Sequence, residues 1–536
     1  MKHILLKVFL LLLLLLVISG LFVYRLLPKK IGSVPQLQTF LFSEPETLLP
    51  MEGKYIYQSA QDLAGMIKSG RATSVDIVTE HIAHIKNNNW KYNALVWLRE
   101  KEAVEEAKKA DQQVSRGDTG QPLLGVPVTI KEQFGITGLP MTLNAKRLGI
   151  IARKDAAVVE QIRRSGAIIL GTTNLSLMVG FNETFGEVYP TGNNPYDTTR
   201  TPGGSSGGEA AALSAGFTAL SLGGDAGGSV RIPAAFCGVY GFKPSFGSVN
   251  ITDGVMPFEI MKGNKFGIAH AGIMARTAGD LALFWQILKH TPPDLRFQKP
   301  LQWTETGNRP IDDYKVAWID KWHYGNKEAA VGSDVQIKLA TLLDSLKAHG
   351  VSVKKDAPDM YQEMLKVWGG MLFLITTQDE NWLMRKLTKV LLRKMDNGDA
   401  FFDEIKKSLD DNSDKRWNML LKQQRNIVNE MDRFLSEYDV MVLPVTYGHA
   451  FTKCNACPFL SDDKGDSLHY IDYFPYTGIF NASGNPAVVL PMGLDAEKLP
   501  IGLQIVGRMY HDDELLHFVS LIEPLIAGFV RPDEQQ

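Results

Sequence analysis

Cysteine is scarce, and three in 536 residues cannot build a disulfide framework. The pair in Cys454-Asn455-Ala456-Cys457 has no second pair beside it, so cysteines alone do not supply a four-ligand zinc site; a local disulfide or two loop thiols remain. Cys237, between Phe236 and Gly238, reads as a small buried hydrophobe. An excess of either charge is missing too. Lysine and arginine number 57 against 59 aspartates and glutamates, a formal charge of −2, and nothing basic enough for nucleic acid stands out. HExxH is absent, so metal-assisted hydrolysis lacks ligands, and no GxxxxGK(S/T) is present to cradle phosphate. No repeat of fixed period is visible.

Long apolar runs are rare as well, with one exception at the start. Residues 8–24 carry no charge, include the leucines of 10–16, and are flanked by Lys2 and Lys7 before and Arg25, Lys29 and Lys30 after. Extended to residues 4–27, with Lys7 and Arg25 snorkelling to the interfaces, the segment can cross a hydrocarbon core of roughly 30 Å. A cleaved secretory signal competes with this reading, but no A-x-A-like site follows the run. An uncleaved single-pass transmembrane anchor is therefore expected over residues 1–30. Positive charges nearly balance across it, which leaves the side of the membrane open.

The rest has the composition of a soluble globular protein, 45% hydrophobic and 22% charged. Residues 31–54, Pro-containing and weakly periodic, read as a connector, and the domain is expected over 55–533. Ser59 to Asp62 before Leu63, Met66 and Ile67, and Thr73 to Asp76 before Ile77, Val78, Ile82 and Ile85, are helix starts. A polar helix follows over 100–114. Residues 123–130 form a short β-branched run bounded by Gly and Pro, a buried strand that delivers Lys131 at its end. Helix 156–165, strand 167–171, helix 209–215 and strand 218–222 then alternate, which argues for an α/β sheet. Further strands are expected at 315–319, 351–354, 440–444, 487–491 and 501–506, and long polar helices at 336–349 and 402–437. Residues from about 290 to 440 read as a helical elaboration. Within it, 382–395 forms a basic amphipathic helix that packs on the core or lies in a membrane interface.

Residues 203–245 read GGSSGGEAAALSAGFTALSLGGDAGGSVRIPAAFCGVYGFKPS, two glycine-flanked serine loops interleaved with Ala, Val, Ile and Phe that a flexible linker would lack. Cleaving an amide or ester through a covalent intermediate needs a nucleophile, a base and donors aimed at the developing oxyanion. Ser229 follows two glycines, and the backbone N–H groups of Ala226, Gly227, Gly228 and Ser229 can converge on one oxygen. Lys131 serves as base once neutral, a form that burial favours, and Ser205 can relay the proton. A rival pattern overlaps the first loop, because Gly204-Ser205-Ser206-Gly207-Gly208 fits the GxSxG elbow with Ser206 as nucleophile. That elbow needs a strand immediately before it, where residues 198–202 form a polar, Pro-containing loop. The histidines it would need, His449, His511 and His517, lie in no distinctive motif.

The GGSSGGE block, the DxGGSxRxP block that begins at Asp225, and the FCG and GxKP elements after it resemble, in order and spacing, the long signature of the amidase signature hydrolases. GVPVTIKE around Lys131, GNNPYD before the signature and LPIGLQIVG near the end are similar to its flanks, so the resemblance covers about 55–530. It implies a single large α/β domain with a central mixed, twisted β-sheet covered by helices on both faces. It also implies a Ser–Ser–Lys triad, with Ser229 as nucleophile, Ser205 as bridging serine after a cis peptide from Gly204, and Lys131 as base. Ser206, Asp225 and Arg231 would support the site, Ala226 to Ser229 would form the oxyanion hole, and neither metal nor organic cofactor would be needed. The family usually has Thr or Ser directly before the Asp; this chain has Gly224.

The anchor, the Lys131-Glu132 pair and Lys243-Pro244-Ser245 are similar to membrane-attached fatty acid amide hydrolases of the second type. That likeness implies a small, lipophilic amide as substrate, an apolar acyl channel shaped by residues 290–440, and a membrane as partner through the N-terminal helix. A homodimer is the assembly expected. Peptide amidases, broad-specificity amidases and a glutamine amidotransferase component with a partner chain are the alternatives.

Overall fold

Ser59 Oγ accepts the N–H of Asp62 and Thr73 Oγ1 that of Asp76, so the first two helices begin where the sequence sets side-chain caps. The computed structural model describes residues 31–251, 253–256, 267–291, 309–324, 327–329, 331–377, 385–386, 389, 400–455, 457, 459–461, 467–474 and 476–532. Its main helices are α1 (Ala60–Lys68), α2 (Ser74–Tyr92), α3 (Glu100–Ser115), α4 (Ala157–Arg164), α5 (Gly207–Ser214), α6 (Arg231–Phe236), α7 (Ala278–Leu288), α8 (Ser333–Ala348), α9 (Tyr361–Thr377), α10 (Ala400–Asp410), α11 (Asp414–Glu437), α12 (Ile479–Ser483) and α13 (Asp512–Ile522). The single helix expected over 402–437 is two, because Ser413 turns its hydroxyl to the N–H of Arg416 and starts α11 afresh.

Eleven strands form one mixed sheet. In chain order they are β1 (Leu95–Leu98), β2 (Pro127–Lys131), β3 (Ile168–Thr173), β4 (Leu220–Asp225), β5 (Tyr240–Lys243), β6 (His270–Ala275), β7 (Lys315–Trp318), β8 (Ser352–Lys355), β9 (Val440–Pro444), β10 (Ala487–Leu494) and β11 (Pro500–Gly507). Across the sheet they run β8-β7-β9-β11-β10-β5-β6-β4-β2-β3-β1. The trio β8, β7 and β9 and the trio β4, β2 and β3 are parallel, and the pairings between them are antiparallel. β2 and β4 are buried along their whole length, which is why they read as near-continuous small and apolar runs. β2 begins later than the run at 123 suggests, since Gly125 takes a φ of 78° and turns the chain before Pro127. β4 runs on through Gly223 and Gly224, which pair with Gly272 and Ala271 of β6 and so carry the ladder up to Asp225. The largest core cluster holds Val128, Ile130, Ile169, Leu222, Phe242 and Trp285, and separate clusters lie under α6, with Ile232 and Phe236, and under α2 and α3, with Val78 and Ala103.

Residues 31–54 pack on the domain: Ile31–Gly32 pair with Leu148–Gly149, Leu41 is buried among α2 side chains, and the Asn87 side chain bonds both backbone groups of Leu49. Residues 290–440 contribute the strands β7 and β8 as well as helices, and α9 packs against α10, α11 and α12. The anchor expected over residues 1–30 lies outside the described residues, as does most of the amphipathic helix expected over 382–395. Among the described residues no helix is long and apolar enough to cross a membrane.

Candidate active site

Three separated pieces of chain meet where β2 and β4 end. Because these neighbours are parallel and in register, with Ile130 beside Leu222, Lys131 closes one strand next to the loop that leaves the other. Ser205 and Ser206 enter from the start of α5. Lys131 Nζ lies 2.8 Å from Ser205 Oγ and 2.7 Å from Ser206 Oγ. The N–H of Ser206 donates to Ser229 O at 3.1 Å and fixes the two serine loops to each other. The peptide between Gly204 and Ser205 is cis. Lys131, Ser205 and Ser206 are buried; Ser229 is partly exposed, and its hydroxyl has no hydrogen-bond partner among the described residues.

The hydrogen bonds give this cluster a direction. Ser206 Oγ directs its proton to Gly224 O at 3.2 Å, so toward Lys131 it can only accept. A neutral amine has two N–H groups and one lone pair, and the lone pair is then left for the hydroxyl of Ser205. Burial pushes Lys131 down to about 8, against the negative charges of Glu209 and Asp225, so a neutral amine is accessible near physiological pH.

The loop of Ser229 is held from behind. Asp225 accepts the N–H of Gly228 at 2.8 Å, that of Val230 at 3.1 Å, and two donors of Arg231 at 3.0 and 3.1 Å. Arg231 also reaches Thr477 O, Gln504 Oε1 and Asn481 Oδ1, and both charged side chains are fully buried. Burial pushes the Asp225 carboxyl up, but the Arg231 charge and the donors around it outweigh that and hold it well below the usual carboxylate range. The oxyanion role expected of Gly228 does not fit this contact, because its N–H faces Asp225. Gly228 has a φ of 113°, and a Cβ on Gly227 would lie 2.4 Å from Trp368 Cζ2, so neither position admits a side chain.

Several neighbours carry little signal in the sequence. Trp368, on α9, donates its indole N–H to Ala226 O at 2.8 Å, and Thr477 donates to Gly227 O at 2.7 Å. Gln133 occupies the space beside Gly224, where a Cβ would meet its amide at 2.9–3.1 Å. Glu209, the last residue of GGSSGGE, is buried and bonds Thr173 Oγ1. An acidic residue in a helix otherwise made of small and apolar residues was the available clue to it.

The histidines of the rival pattern are engaged elsewhere. His449 Nδ1 is 2.6 Å from Asp495 Oδ2, His511 Nδ1 is 3.0 Å from Glu514 Oε2, and His517 Nε2 is 3.0 Å from Arg309 O. No strand leads into Ser206, whose hydroxyl partners are Lys131 and the backbone of Gly224. Asp334, His449 and Asp495 bring ligand atoms within 4.8 Å of one another, a spacing that a metal ion could use. Cys454 and Cys457 form a local disulfide, and Cys237 is buried with its thiol pushed up by that burial.

A family model described as Amidase matches residues 76–516 of this chain. The chain is 29% identical over 514 residues to fatty-acid amide hydrolase 2-B of Danio rerio, an alignment that covers 91% of this chain and 93% of that one. It is 28% identical over 496 residues to a glutamyl-tRNA(Gln) amidotransferase subunit of Alkaliphilus metalliredigens, covering 87% and 95%. Among solved structures it resembles a 6-aminohexanoate cyclic dimer hydrolase complexed with substrate, with a TM-score of 0.73 at 24% identity, covering 89% and 99%. It also resembles a fatty acid amide hydrolase, with a TM-score of 0.71 at 19% identity, covering 90% and 87%.

Proposed function

This chain belongs to the amidase family and is an amide-hydrolysing enzyme; from that premise we propose that it cleaves lipophilic carboxylic amides through an acyl-enzyme formed on Ser229. The observation that carries the mechanism is the 2.8 Å contact between Lys131 Nζ and Ser205 Oγ beside the glycine turn of Ser229. Neutral Lys131 takes the Ser205 proton as Ser205 takes that of Ser229. The freed Ser229 oxygen bonds to the amide carbon, and the N–H groups of Ala226, Gly227 and Ser229 receive the oxyanion. The proton then returns from Lys131 through Ser205 to the nitrogen, the C–N bond breaks and the amine leaves. Water repeats the sequence on the ester, which releases the carboxylic acid and restores Ser229. Asp225, Arg231 and Ser206 hold the turn and direct the chain of hydrogen bonds.

The lipophilic part of the reading is supported by α9, which sets Trp368 against the Ala226–Gly227 turn and carries the partly buried Leu372 and Phe373. Membrane attachment is supported by the apolar run of residues 8–24. The test is a screen of the purified full chain against oleamide-like, peptide-amide and short amides, with sedimentation reading whether it dimerises. Preference for the long acyl amide is the expected result; equal or better turnover of short amides contradicts it. The similarity to an amidotransferase component favours one second reading, in which ammonia is released from glutamine only with a partner chain present.

A further inference from the structure

Glu209 is a buried carboxylate that the proton path does not use. It lies in the first turn of α5, the helix that packs on β2 and β3. Its Oε1 accepts the hydroxyl of Thr173, and its Oε2 is buried without a partner among the described residues. Thr173 is the register partner of Lys131 between β2 and β3. The hydroxyl that holds Glu209 therefore belongs to the strand position alongside the lysine. Lys131 has two hydrogen bonds, both to hydroxyls, and as an ammonium it carries a third N–H.

Two carboxylates act on Lys131, Glu209 from α5 and Asp225 from the end of β4. Asp225 is already neutralised by Arg231. Glu132, the residue after β2 ends, turns its carboxylate to Thr142, Leu143 and Tyr189. The charge that acts on Glu209 is that of Lys131. We propose that Glu209 is a positioning residue for amide hydrolysis: its carboxylate, held by Thr173 at the register position beside Lys131, stabilises through space the ammonium that the lysine becomes when it takes up the serine proton. This rests on the reading of Lys131 as the base. Burial pushes Glu209 up to about 7 against the pull of Lys131, and Lys131 down to about 8 against the pull of Glu209, so each charge supports the other near neutral pH.

Without the carboxylate Lys131 is harder to protonate, so the acid limb of the rate moves to lower pH, while the ammonium formed during reaction is less stable and the plateau falls. The probe is a fluorophosphonate, on which the Ser229 oxygen bonds to phosphorus, the proton passes through Ser205 to Lys131 and fluoride leaves. Its labelling rate is followed from pH 5 to 10 on the full chain. For Glu209→Gln the limb is expected to move down by about one pH unit, with a plateau roughly tenfold or more lower. Glu209→Asp should keep the parent limb, and Thr173→Val should move it in the same direction by less. Should Glu209→Gln fail to fold, as read by circular dichroism, Thr173→Val decides. Labelling confined to Ser229 with limbs unmoved in the folded Gln and Val variants overturns this proposal alone; labelling that survives Ser229→Ala overturns the reading of the site with it.

Discussion

The N–H of Gly228 points at the carboxylate of Asp225, 2.8 Å from Oδ1, and so Asp225 shapes the turn that presents Ser229. Asp225 is fully buried with Arg231, and removing one member leaves the other as an uncompensated buried charge. Asp225→Ala should cost about 3 to 5 kcal/mol of stability in urea unfolding and abolish activity. The folded carboxyl lies below its ordinary value of 3.8, so its contribution is present above that pH and is lost as the pH falls further. Asp225→Asn should therefore show a shallower loss of stability below about pH 4 than the parent.

Lys131 is expected to trade stability for chemistry. Its folded value of about 8 lies below the ordinary 10.5, so the unfolded chain binds the proton more readily; stability rises as pH climbs from about 8 to 10.5, and below 8 the full penalty is present. Lys131→Met should lower the rate by roughly 10²- to 10⁴-fold and remove the rise in stability that the parent shows between about pH 8 and 10.5. In the parent, activity should rise with pH through about 8. Thermal melts across this pH range and a pH–rate profile check both halves, and a variant that keeps the parent's rise in Tm and its rate profile would count against the base role.

Gly224 and Gln133 should behave as a coupled pair, since the glutamine amide fills the space that a side chain at 224 would enter. Gly224→Thr alone should lower activity, and Gln133→Ala in the same chain should restore part of it. A double-mutant cycle should give a coupling of roughly 0.5 to 3 kcal/mol, and additive effects would show that the two do not meet.

Trp368 links the region after residue 290 to the reaction centre. Trp368→Ala removes an apolar surface and the donor that holds Ala226 O. KM for a long acyl amide should rise roughly tenfold more than KM for a short amide. Equal rises for both would leave the acyl-chain role without support.

What the sequence made legible follows from how local each signal is. Ser205, Ser206, Asp225, Ser229 and Arg231 lie within one 27-residue stretch whose glycines mark tight backbone, and Lys131 closes a strand bounded by Gly and Pro. The side-chain caps at Ser59 and Thr73 were readable for the same reason. Asn481, a partner of Arg231 250 residues away, sits in ordinary apolar context, and Gln504 lies in LPIGLQIVG with nothing in that run to mark it as a partner of Arg231. β5 and β6 were missed because their pairing is set by β10 and β4 rather than by their own pattern. The break at Ser413 was masked by polar residues that suit a helix on either side.

The central claim is that Ser229, and not Ser206, is the nucleophile, and fluorophosphonate labelling of the full chain tests it most directly. The account predicts that Ser229→Ala abolishes labelling while Ser206→Ala, which removes a hydroxyl that accepts from Lys131 but keeps the backbone N–H that holds the turn, keeps a reduced rate. Labelling that persists in Ser229→Ala and disappears in Ser206→Ala would contradict it.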